Sequence, residues 1–101
     1  MTKTIELSEL LKSKREKKGL LLREVASMIE VDTALISKFE KGDRKPTREQ
    51  IEKLAVALEI EMSQLLTVWL SEKVYEEVKG KNEATEALKL ALKRIKSESN
   101  A

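Results

Sequence analysis

Apolar residues in this chain recur as compact triplets at positions i, i+1 and i+4: Val25, Ala26 and Ile29; Leu35, Ile36 and Phe39; Leu65, Leu66 and Trp69. That spacing gathers three side chains on one face of an α-helix and would scatter them over both faces of a strand. Gly19, Asp32, Gly42 and Pro46 punctuate the pattern, so the helices that carry the first two triplets must be short. A short amphipathic helix is marginal on its own and must bury its stripe against neighbours. β-Branched residues nowhere alternate long enough for a strand. The expected fold class is therefore all-α, built as a bundle of short helices.

In chain order, a first helix is expected from about Leu7 to Lys18, with Leu7, Leu10 and Leu11 inward, Gly19 as its stop and Ser8 or Thr4 as its cap. A second begins at Leu22, and Glu30 and Val31 make the turn that follows it. Asp32 suits the N-cap of a third helix, Thr33 to about Lys41, because its carboxylate can accept the orphan amides of the first turn. Leu35, Ile36 and Phe39 face inward on that helix, which leaves Thr33, Ala34, Ser37 and Lys38 outward. After the basic loop Gly42 to Pro46, Thr47 and Gln50 form a capping box for a fourth helix that buries Ile51, Leu54, Ala55 and Leu58. A fifth starts near Met62, marked by Glu61 or Ser63, and can extend through Val74 and Val78. Lys79 to Asn82 reads as a break, and a last amphipathic helix runs from Glu83 to Lys96, before a polar tail expected to fray. Its stripe of Ala84, Leu88, Ala91, Leu92 and Ile95 either folds back on its own domain or makes a dimer interface centred on Leu88, Leu92 and Ile95; the two are evenly matched. One domain over residues 1–70 and a helical extension over residues 71–101 are the expected organisation.

Several function classes drop out on residue inventory. The 101 residues include no cysteine and no histidine, which removes disulfides, thiolate or imidazole metal sites and any nucleophile activated by histidine. Gly19, Gly42 and Gly80 form no phosphate loop, and the carboxylates sit at helix spacings that suit surface ion pairs. A Ser-Lys pairing is the one catalytic option left formally open, so the chain is not expected to be an enzyme or to need a cofactor or metal. No apolar run approaches the ~18 residues of a membrane span, and the first residues lack a signal-peptide core; a cytoplasmic protein with no membrane partner is expected. Net charge is only +2, but cations concentrate in two runs, Lys12 to Lys18 and Lys38 to Arg48. A solvated face is the simpler account of such a run unless both flank one recognition element.

The KSKR segment from Lys12, Val25-Ala26, Val31 before Asp32, Ile36-Ser37, Glu40-Lys41-Gly42, Pro46, Leu54-Ala55 and Leu65-Leu66 form a set with consistent spacing. Over Lys12 to Leu66 the chain resembles the lambda-repressor-like (Cro-type, XRE) helix-turn-helix family. The resemblance implies a five-helix domain whose third helix enters the major groove of double-stranded DNA while the second crosses the phosphate backbone. Thr33, Ala34, Ser37 and Lys38 then become base-reading candidates, with Lys38 suited to guanine O6 or N7. Arg23, Lys41, the Gly42 amide, Arg44 and Lys45 become phosphate contacts. By the same resemblance Arg15 pairs with Glu40, expected to be an exposed ion pair worth ~0–1 kcal/mol. Leu21 stands where the family often has a Thr or Ser cap, Leu22 where it often has a phosphate-binding Gln, and Glu30 where Gly is frequent. Leu22 is expected to pack on a sugar or a methyl group, or both leucines to lie under a protein partner. The implied function is a sequence-specific transcriptional regulator acting as a homodimer on a near-palindromic operator. The alternative is a protein-interaction module, such as an antitoxin or co-regulator, on the same fold.

Overall fold

The computed structural model describes residues 6–99, and among them there are six helices and no strand: α1 Leu7–Lys17, α2 Leu22–Met28, α3 Thr33–Lys41, α4 Arg48–Ala57, α5 Met62–Val78 and α6 Ala84–Ser99. The first five enclose one aliphatic core with two aromatic members, Phe39 and Trp69. Each triplet delivers its face: Val25, Ala26 and Ile29 from α2 and the residue after it, Ile36 and Phe39 from α3, Leu65 and Trp69 from α5. Leu10, Leu35 and Leu66 are half-buried and pack against the rim of that core. Ile60, in the α4–α5 turn, is buried as well, although it belongs to no helical stripe.

Four consecutive helices end in the same way. An amide bonds back five residues, from Leu20 to the Arg15 carbonyl at 3.1 Å, Val31 to Ala26 at 3.0 Å, Asp43 to Lys38 at 2.9 Å and Ile60 to Ala55 at 2.9 Å. This closure needs a left-handed residue just before the bonded amide. Gly19 and Gly42 supply it at φ +68 and +78, but Glu30 and Glu59 supply it at φ +58 and +54, where a side chain crowds the backbone. Glu59 gains a compensating contact: Lys18 hydrogen-bonds its carboxylate and holds it below the usual carboxylate pKa range. Glu30 forms no ion pair among the described residues. Glu30→Gly is therefore expected to stabilise the domain by roughly 1 kcal/mol. That raises the thermal midpoint by about 4–8 °C, and Glu59→Gly gives less. A midpoint that falls in Glu30→Gly would show that the carboxylate has a stabilising role at the turn.

The helix starts differ more from expectation. Thr47 and Gln50 do form their capping box, with bonds of 3.2 and 2.9 Å, and Glu61 caps α5 by accepting from the Ser63 amide at 2.6 Å. Asp32 stands in the N-cap position of α3 with extended backbone, yet its carboxylate makes no cap hydrogen bond. Leu21, which has no acceptor, leaves the start of α2 to Glu24, whose carboxylate takes the Leu21 amide at 2.8 Å. Ser8 does not cap α1, and Thr4 lies outside the described residues. The Leu7 amide instead donates to Glu72 Oε2 at 2.6 Å, a carboxylate from α5. Any acceptor can satisfy an orphan amide, and α5 continues far enough past Leu70 to bring one there.

α5 runs unbroken through residues 70 and 71, and the chain first breaks at residues 79–83. α6 then extends to Ser99, three residues beyond the expected end, with the Ser99 hydroxyl donating to the Ile95 carbonyl at 3.0 Å. No residue of α6 is buried, and it does not fold back over the core.

Candidate nucleic-acid interface

On α3, at about 100° per residue, Ile36 and Phe39 point to the core. Thr33, Ala34, Ser37, Lys38 and Lys41 fall within one arc on the far side. Thr33, Ala34, Lys38 and Lys41 are exposed, and Ser37, inside the arc, is half-buried. Thr33, Ser37 and Lys41 make one i, i+4, i+8 row, with Ala34 and Lys38 beside it. The surface is short-chained at the start of the helix and cationic toward its end, so a duplex edge could approach the first turns closely.

The pose of this helix is fixed by Arg15. Its Nε donates to Glu40 Oε2 at 2.7 Å and its Nη2 to Glu40 Oε1 at 3.0 Å, while Nη1 donates to the Leu20 carbonyl at 2.8 Å. One guanidinium thus joins α1, the α1–α2 turn and the end of α3. The expectation of an exposed pair was wrong: the two side chains are 13% and 8% exposed. The bidentate bond to Glu40 raises the Arg15 pKa despite the opposing cost of burial. The basic run Lys12 to Lys18 is accordingly not one solvated patch, since Arg15 turns inward and Lys18 is engaged by Glu59.

After α3, Gly42 swings the chain into the loop that carries Arg44 and Lys45. The Gly42 amide donates to the Phe39 carbonyl at 3.3 Å and so is already engaged within the chain. Pro46 is buried, and its carbonyl accepts the Trp69 indole N–H at 2.8 Å, which pins the loop to α5. Lys73 covers the ring of Trp69, its Nζ 4.3 Å from the centroid. Lys45 forms an ion pair with Glu72, the same carboxylate that holds the start of α1. Arg23, Lys38, Lys41 and Arg44 are exposed and make no ion pair among the described residues. Between loop and α5 lies a groove of about 700 Å³ with Lys41 and Arg44 on one wall and Glu72 and Glu76 on the other. Leu22 is half-buried and packs against the core, so it is not a free apolar probe; Leu21 is exposed.

Sequence reasoning missed Glu72, the Trp69–Pro46 bond and the Leu20 carbonyl. The first two join positions 65 and 23 residues apart, and no local pattern announces them.

Two short helices joined by a tight turn, the second buried on one side and polar and cationic on the other, define a helix-turn-helix DNA-binding domain. The model of a helix-turn-helix family matches residues 11–65. The chain belongs to that family, in its XRE, lambda-repressor-like form, and is a DNA-binding regulator of that type. A chain of the solved SinR protein/SinI protein complex is similar in fold, with a TM-score of 0.56 and 20% identity over 94% of this chain and 99% of that chain. A comparison with curated proteins found no significant match. Among the described residues no helix is long and apolar enough to cross a membrane.

Proposed function

We propose that the protein is a cytoplasmic transcriptional regulator, a repressor or autoregulator, that binds a near-palindromic operator as a homodimer with α3 in the major groove. The observation that carries this reading is the outer arc of α3, open to solvent and free of ion pairs while the rest of the helix is clamped by Arg15. Thr33, Ala34, Ser37 and Lys38 read bases; Lys41 and Arg44 hold phosphates past the end of α3, and Arg23 holds one beside α2. Lys45 joins them once DNA competes with Glu72 for its ammonium. Gly42 contributes through its left-handed backbone, which brings the loop cations round, more than through its amide. Two heads with half-sites about 34 Å apart match one turn of the duplex, and the bare stripe of α6 with Leu88, Leu92 and Ile95 supports pairing of two chains.

The test is a mobility shift on an operator obtained by selection from random DNA, with salt titration. Lys38→Ala is expected to relax preference at one base pair per half-site, a loss of roughly 1–3 kcal/mol of discrimination. Lys41→Ala and Arg44→Ala should each weaken all sequences alike and reduce the salt slope by about 1 per protomer. A Lys38→Ala protein that selects the same operator with the same stringency would remove Lys38 from the readout.

A second reading, a protein-interaction module on the same fold, draws support from exposed Leu21 (47%) and from α6. The similar solved chain comes from a complex of two different proteins. Purification of a stoichiometric partner with no DNA motif enriched on selection would favour it.

A further inference from the structure

Charge closes on itself around the open apolar face of Met28, Val56 and Met62, where Lys18 pairs with Glu59 and Lys53 with Glu49 and no partner is selected. The groove beside the basic loop is different. α5 runs on past its last buried residue, Trp69, and at about 100° per residue Glu72 and Glu76 fall on the same side of the helix as Leu65 and Trp69. That side meets the start of α1 and the basic loop, and both carboxylates line the groove there. Each oxygen of Glu72 has its own partner: Oε2 accepts the Leu7 amide at 2.6 Å, and Oε1 pairs with the Lys45 ammonium. The Glu72 side chain is 20% exposed and that of Lys45 49%. Glu76 is held below its usual pKa by a hydrogen bond from Lys79, with a smaller contribution from the charge of Lys45. Lys41 and Arg44, on the opposite wall, make no ion pair among the described residues.

The path of the loop is held without the Lys45 pair. Pro46 is buried and its carbonyl takes the Trp69 indole N–H at 2.8 Å, so the backbone stays pinned while the Lys45 side chain swings. Glu72 is not stranded when Lys45 leaves. It keeps the Leu7 amide and lies at the N-terminal end of α1, where the helix dipole favours a negative charge.

We propose that Glu72 is a built-in rival of the DNA phosphates: its carboxylate holds the Lys45 ammonium in the free protein and so limits how tightly the basic loop grips a duplex. This rests on the phosphate contacts proposed above and adds the residue that restrains them. A phosphate gains Lys45 only by taking it from Glu72, so the pair lowers affinity for every sequence alike. A carboxylate that acted by plain repulsion would do so with or without Lys45.

The experiment is a double-mutant cycle, Glu72→Gln and Lys45→Ala singly and together. Mobility shifts on the selected operator and on an unrelated duplex read it at about 0.15 M salt, where charges more than about 8 Å apart are largely screened. Gln keeps an oxygen for the Leu7 amide, and thermal midpoints verify folding. Glu72→Gln should raise affinity about threefold to fivefold per protomer on both duplexes. With Lys45→Ala present, the same change should move affinity by less than about 1.5-fold. In the unaltered chain, operator should shift the Lys45 ammonium resonance in NMR while the Leu7 amide stays protected from hydrogen exchange. Unchanged affinity in Glu72→Gln overturns the proposal, and so does an equal rise in both backgrounds, which is repulsion without rivalry. If Glu72→Gln is too unstable to bind, the resonances decide: a Lys45 signal that ignores operator overturns it. A flat cycle with Lys41→Ala and Arg44→Ala still weakening DNA binding removes only the role of Glu72. If those two changes also leave affinity untouched, the phosphate reading itself fails and this one with it.

Discussion

Arg15→Ala is expected to destabilise the five-helix domain by roughly 3 kcal/mol, at the lower end for breaking a buried ion pair. The thermal midpoint should fall by about 12–24 °C, read by circular dichroism or calorimetry. The reasoning rests on what is left behind. Glu40, whose side chain is 8% exposed, would keep its charge with no partner, and the Leu20 carbonyl would lose its donor. Arg15→Lys should recover only part of the loss, because an ammonium cannot fork onto both Glu40 oxygens and still reach Leu20. Replacing both members, Arg15→Leu with Glu40→Leu, should cost much less than Arg15→Ala, since no unpaired charge remains in a half-dry site. A loss below about 1 kcal/mol in Arg15→Ala would place the pair with ordinary surface bridges. DNA binding should suffer beyond the fraction unfolded, because the freed end of α3 no longer sets the direction of Lys41 and the loop.

Truncation after Gly80 is the second large effect, and its signature is the opposite. α6 buries no residue, so the thermal midpoint of the domain should hardly move. Self-association should be lost, and affinity for an operator with two half-sites should fall by about 10²–10⁴, because the second head no longer binds at the effective concentration set by the first. Affinity for an isolated half-site should stay as it was. Light scattering and mobility shifts on full and half operators read the three quantities together. An unchanged mass after truncation would move the interface to α5 alone, around Leu70.

Most of the helix plan and its core were legible from spacing alone. The triplets of α2, α3 and α5, the stripe of α4 and Leu7 and Leu11 of α1 name every residue of the buried apolar core but Ile60, because a 3.6-residue period leaves few ways to gather those residues. The outward arc of α3 followed from the same geometry. Arg15 and Glu40 were paired correctly from the family resemblance, but their burial was not foreseen, since exposure depends on how α1 and α3 cross. What stayed hidden is contact across long stretches of chain. Glu72 serves α1 and the basic loop together, and Trp69 fixes Pro46, yet nothing near either residue in the sequence points to its partner. Asp32 shows the converse: a residue ideal by type can occupy the cap position without making the bond.

The two faces of α5 carry a consequence for how two heads would be aimed. Leu65 and Trp69 lock one side of the helix into the head, and Leu70, Val74 and Val78 offer the other side, on a single rod with no joint between them. In the proposed dimer, angular phase along that rod would set the distance and twist between the two α3 helices. One residue inserted between Trp69 and Leu70 would turn the outer face by about 100° and lengthen the rod by about 1.5 Å. Each head would still fold and still know its half-site, but the pair would be tuned to a different spacing of the DNA.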